Sequence, residues 1–161
     1  NLDFCNNILK KLNDYTKNFV LDTIIEVNGK TIIQYREKLK NYYIYDNYLN
    51  FYIENGKLKK IEFNYDNIGS FEGSKRDISY VQEVILTFLH NIENKNSTIN
   101  IERIDIVYAP MINKDSSESK RIILLPFYRF NYYETYLGNK VYNSLLINAY
   151  TNNIKSIGTI K

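Results

Sequence analysis

Apolar and polar positions change period along the chain, and each change predicts an element. Val81, Val84, Ile85, Phe88, Leu89 and Ile92 recur at helical spacing, which predicts a helix over about 79–93 with one buried stripe. Ser79 and Gln82 at its start have the spacing of a capping box. A shorter stripe of Leu2, Cys5, Ile8, Leu9 and Leu12 predicts an N-terminal helix, with Cys5 as a small core residue. Elsewhere the period falls to two. Phe19, Leu21, Thr23, Ile25 and Val27 alternate along "FVLDTIIEV" and are expected on one buried strand face. Asn28-Gly29 and Asn55-Gly56 lie between such runs, and both suit the positive φ angles of a two-residue hairpin turn. Gly138-Asn139 and Asn152-Asn153 mark two further turns.

The element order is helix, two hairpins, helix, then the strands "INIERIDIVY", "RIILLPFYRFNYY", "VYNSLLINAY" and "IKSIGTI". The second half repeats the plan of the first, and "ENGKLKKI" and "NNIKSI" echo one another after their turns. The glycines and short polar residues of 68–75 read as a connector, and the polar run 113–120 as a solvated loop. The expected fold is α+β: two similar helix-plus-antiparallel-sheet halves packed together, residues 1–70 and 71–161.

Composition narrows the classes of function. Lys and Arg number 21 against 18 Asp and Glu, a net charge of +3 with interspersed signs, so no nucleic-acid footprint is evident. The abundance of Ile, Asn, Lys and Tyr is the bias of AT-rich genomes. One cysteine forms no internal disulfide. No apolar run approaches the ~20 residues that span a bilayer, but the chain opens on Asn1 rather than Met, and an upstream signal or anchor is expected.

Candidate chemistry is sparse. His90, the only histidine, borders the apolar stripe and reads as structural or surface rather than catalytic. Gly69 and Gly73 lack the strand-to-helix phosphate-loop context. Asp115, Ser116, Ser117 and Glu118 read as solvated loop rather than a calcium site. Tyrosines crowd two segments: Tyr42, Tyr43, Tyr45, Tyr48 and Tyr52, then Tyr128, Tyr132, Tyr133 and Tyr136, with phenylalanines among them. Such residues fill strand faces, form protein interfaces or stack bases, and the sequence leaves all three open.

The closing segment adds a resemblance. "VYAP" at 107–110, "LLPFYRF" at 124–130 and "YNSLLINAYTNNIKSI" at 142–157 resemble the end of the YycH/YycI regulatory proteins of low-GC Gram-positive bacteria. There a Pro-x-Trp-Arg strand precedes one ending in Val-Asn-Ala-x-Thr-Gly-Glu. Pro126, Arg129, Asn148, Ala149 and Thr151 stand at corresponding places, with Tyr128 for the tryptophan and Asn152 for the turn glycine. The resemblance is clearest over 104–157, and its ending also occurs in PepSY-type domains.

It implies a non-catalytic extracytoplasmic domain, held by an N-terminal membrane helix upstream of Asn1, that modulates a sensor histidine kinase of cell-wall metabolism alongside a sister accessory protein. The alternative is a secreted PepSY-like module that inhibits or chaperones a peptidase. Neither implies a nucleic-acid partner, a cofactor, a metal or a catalytic residue. Tyr42, Tyr43, Tyr45, Tyr132, Tyr133 and Tyr136 are the candidate interaction surface, because tyrosine offers large contact area at modest entropic cost. Arg129 is expected to place its guanidinium on a carboxylate or carbonyl.

Overall fold

The structure, a computed structural model, describes residues 2–69, 76–92, 96–112 and 122–160, except for the side chains of 13, 112, 122, 156 and 157. The expected loop at 113–120 and most of the 68–75 connector lie outside the described residues. The chain divides into two units, Asn1–Gly69 and Ser70–Lys161. The class is α+β and strand-dominated: eight strands and three helices occur among the described residues.

In the first unit α1 (Leu2–Lys11) and the short α2 (Asn13–Thr16) precede four antiparallel strands: β1 (Phe19–Val27), β2 (Lys30–Leu39), β3 (Tyr42–Glu54) and β4 (Lys57–Asn64). Thr16 fastens the helical segment, its hydroxyl donating to the carbonyls of Leu9 (2.8 Å) and Leu12 (3.0 Å). Cys5 is buried with Phe19, Ile33, Tyr35, Leu49, Phe51 and Ile53, and Ile8 and Leu9 close over this cluster. The helix is anchored by few residues, since Leu2 and Leu12 at its ends stay exposed.

The second unit follows the same order. α3 (Val81–His90) precedes β5 (Thr98–Ile112), β6 (Ile122–Tyr136), β7 (Asn139–Asn148) and β8 (Ile154–Ile160), each antiparallel to the next. Val84 and Phe88 of α3 are buried against Tyr128, Phe130, Tyr132, Leu145, Ile147 and Ala149. Phe88 stacks on Phe130 (4.5 Å, 7°) and meets Tyr132 edge-on (5.1 Å, 84°).

Three details differ from the expectations. A register shift between Leu21 and Thr23 reverses the faces of β1. Phe19 joins the helix-side core, Leu21 is exposed, and Asp22 is buried as the displaced residue. The alternation Phe19 to Val27 is therefore not one face, because a bulge inserts a residue into the period of two. The Ser79–Gln82 capping box does not form: α3 begins at Val81 with Tyr80 as its N-cap and no side-chain cap. Ser79 is otherwise engaged, its N–H donating to the Ala149 carbonyl (2.7 Å) and its carbonyl accepting from the Tyr128 hydroxyl (2.9 Å). The third turn falls one residue early, with positive φ at Leu137 and Gly138.

Candidate interaction surface

The six tyrosines do not form a surface. Tyr132 and Tyr133 are only 4% and 7% exposed, which corrects their assignment to an interface. Neighbours in a strand point to opposite faces, so Tyr132 goes under Phe88 while Tyr133 lies edge-on to Tyr142 (5.2 Å, 71°) with the Lys140 ammonium 3.8 Å from its ring centroid. Tyr43 and Tyr45 are half-buried and occupied: Tyr43 donates to the Leu21 carbonyl (3.3 Å), and the Arg36 guanidinium lies 4.4 Å over the Tyr45 ring. Only Tyr42 and Tyr136, at 43% and 41%, are open to solvent.

Two Tyr-Arg dipeptides, on β2 and β6, build a pair of local devices, one per unit. On β2, Tyr35-Arg36 sends the tyrosine to the helix side, where its hydroxyl donates to Asn6 Oδ1 (2.7 Å), and the arginine to Asp22 of the preceding strand (2.6 Å). On β6, Tyr128-Arg129 does the same. Tyr128 reaches Ser79 at the entrance to α3, and Arg129 grips Asp105 of β5 through Nε (2.9 Å) and Nη2 (2.6 Å). Consecutive residues thus secure the helix on one face and the neighbouring strand on the other. Arg129 is fully buried and its grip is two-pronged, the geometry a guanidinium provides and an ammonium does not.

The end of β7 is closed by Asn148. Its Oδ1 accepts from the N–H groups of Tyr150 (2.8 Å) and Thr151 (3.1 Å), and its carbonyl from Asn152 N–H (2.9 Å). Asn152 has φ +57°, a left-handed position that asparagine tolerates.

Groups with chemical potential are few. His90 is exposed at the end of α3, and burial pushes the Cys5 thiol up, away from the thiolate. No group of three or more His, Cys, Asp or Glu is placed to hold a metal among the described residues, nor is any described helix long and apolar enough to cross a membrane.

Two phenols titrate late. Burial pushes Tyr35 up to about 12, with Cys5 adding to it, and burial pushes Tyr52 up to about 12, with Glu62 as hydrogen-bond partner and neighbouring charge contributing. The folded values exceed the ordinary 10.0, so from pH 10 to 12 the unfolded chain releases protons that the folded chain keeps. This stabilisation is whole below pH 10 and disappears as pH rises through 12. Melting temperatures should fall across that window, and Tyr35→Phe and Tyr52→Phe should each flatten the fall; an unchanged profile in both variants would contradict it.

An open apolar strip lies on β4, where Leu58, Ile61 and Phe63 are 38%, 42% and 45% exposed. Their register partners Ile53, Phe51 and Leu49 on β3 are core residues. Phe63 stacks on Tyr65 (6.3 Å, 4°) and approaches Phe19 (6.0 Å), while Tyr15 meets Tyr65 edge-on (6.5 Å). The opposite face of β4 is satisfied within the unit, where Glu62 binds both Lys60 and the Tyr52 hydroxyl.

No protein-family model and no curated protein matches the chain. Among solved structures it is similar to the Bacillus megaterium YpeB C-terminal domain, with a TM-score of 0.52 and 12% identity over 99% of this chain and 64% of that one. The chain therefore spans less than two thirds of that structure's length. At this identity the likeness concerns the fold alone, and the fold is PepSY-like.

Proposed function

We propose that the protein is a non-catalytic, extracytoplasmic interaction module that regulates another protein by binding it. The observation that carries the reading is the PepSY-like fold; the open apolar strip on β4 supplies a surface for it. Binding of this kind changes a partner's activity only through unequal affinity for its states.

For the partner, the fold favours a peptidase that the module inhibits or chaperones. The YycH/YycI-like residues Pro126, Arg129, Asn148, Ala149 and Thr151 favour a sensor histidine kinase and a sister accessory protein, with attachment through an upstream membrane helix. Calorimetric titration of the purified protein into a peptidase and into a kinase extracytoplasmic domain encoded beside its gene separates the two. Binding of the peptidase with a change in its turnover supports the first reading, and binding of the kinase domain supports the second. Binding of neither, together with turnover of a small substrate by the protein itself, would end the interaction reading.

A further inference from the structure

Rows of apolar side chains cross the helix side of the first unit's strands and stop unfinished at β4. One row runs Ile33, Phe51, Ile61 and another Tyr35, Leu49, Phe63. The β2 and β3 members are buried, while Ile61 and Phe63 stand open on β4. Among the described residues β4 pairs with β3 alone, so its outer edge presents backbone donors and acceptors without a strand partner. Unpaired edges of this kind accept added strands.

Two features of β4 select what is added. A register shift between Tyr52 and Ile53 displaces Lys59 from the ladder, leaving Lys60, Ile61, Glu62, Phe63 and Asn64 as the regular run. The strand carries Lys57, Lys59 and Lys60 against Glu62, three positive charges less one negative, a local charge of +2. Lys60 is bound to Glu62. Lys57 faces Glu54 across the hairpin without an ion pair, and neither Lys57 nor Lys59 pairs with a carboxylate among the described residues. Bulges and lysines keep neutral strands off an edge. The same lysines favour an acidic strand, while two copies of β4 would bring +2 against +2, which disfavours self-pairing.

We infer that β4 is a docking edge for an extended acidic segment of a partner protein, added as a further strand along Lys60–Asn64, with apolar side chains over Ile61 and Phe63 and carboxylates toward Lys57 and Lys59. Backbone pairing supplies sequence-tolerant affinity. The alternation of apolar and acidic residues supplies selection, because a strand places its apolar set on one face and its charges on the other. The Phe63, Tyr65 and Phe19 cluster ends the strip with an aromatic wall suited to a large apolar side chain. This deepens the interaction reading above and rests on it.

The test uses N-acetylated peptides of the length of β4, 8 residues: one alternating valine with glutamate, one with lysine for glutamate, and one acidic peptide interrupted by proline. Binding is followed by fluorescence anisotropy at low salt, and the site by amide hydrogen exchange. The acidic peptide should bind, weaken with added salt and protect amides of 60–64; the lysine and proline peptides should not. The double variant Lys57→Glu/Lys59→Glu should weaken acidic-peptide binding about tenfold or more and turn the preference toward the lysine peptide. Its unchanged melting temperature shows that folding is not the cause.

Equal binding of acidic and basic peptides, protection on β1 instead of β4, or no binding at all would each overturn the proposal. So would protection of β4 in a concentration-dependent dimer without peptide, which would make a second copy the occupant. Failure here is separable from failure of the interaction reading. A whole partner that still binds the double variant with wild-type affinity preserves that reading and removes the β4 edge from it.

Discussion

Phe88→Ala is expected to lower stability by about 3–5 kcal/mol, the cost of truncating a large aromatic in a packed core, and to lower the melting temperature by about 10 °C or more. Phe88 carries most of the attachment of α3: with Val84 it is one of two fully buried residues on the helix, stacked on Phe130 and edge-on to Tyr132. Such pairs contribute ~0.5–1.5 kcal/mol beyond burial. The alternation of backbone and side chain around the helix entrance gives little compensation, since Ser79 holds to Ala149 and Tyr128 and does not cap α3. Leu86→Ala, on the exposed side of the same helix, should stay within about 0.5 kcal/mol of wild type. Equal loss in the two variants, by chemical denaturation, would mean that α3 is not docked through this face.

The elements legible in the sequence were those whose local chemistry admits one geometry. Asn28-Gly29 and Asn55-Gly56 take positive φ at both residues, the condition that made them readable as hairpin turns. The turn between β2 and β3 was missed because its positive-φ residue is Lys40, whose side chain has no preference for that region. Here the long antiparallel pairing of the two strands imposes the turn. Asp22 was hidden for a related reason. A displaced residue looks like any member of an alternating run until its partner strand fixes the register, and its carboxylate answers Arg36, fourteen positions later.

The candidate surface was less legible than the fold. Consecutive tyrosines such as Tyr132-Tyr133 cannot share a face of one strand, and period two alone argued against treating them as a single patch. The lysines of "KLKKIEFN" suit an edge strand, but the openness of Ile61 and Phe63 is not legible in it, because burial depends on what lies beside the strand. The Tyr-Arg dipeptides at 35–36 and 128–129 were visible as letters, but their shared use, tyrosine toward the helix and arginine toward an aspartate, exists only after pairing.

Arg129→Ala should cost about 3–5 kcal/mol, as expected when one partner of a buried ion pair is removed. The guanidinium is fully buried, and its loss empties a large volume and leaves the Asp105 carboxylate, 24% exposed, with only the longer contact to Arg103 Nε (3.4 Å) on its own strand. Arg129→Lys should recover only part of this loss, since an ammonium cannot make the paired Nε and Nη2 contacts to one carboxylate. The double variant Arg129→Met/Asp105→Leu should melt above Arg129→Ala, because exchanging both charges for apolar side chains of similar volume removes the desolvation cost along with the attraction. A structural role requires this order of melting temperatures. If Arg129→Ala melted with the wild type while binding of a partner disappeared, the arginine would belong to an interface, and the attachment of β5 to β6 would rest on their ladder and flanking apolar contacts alone.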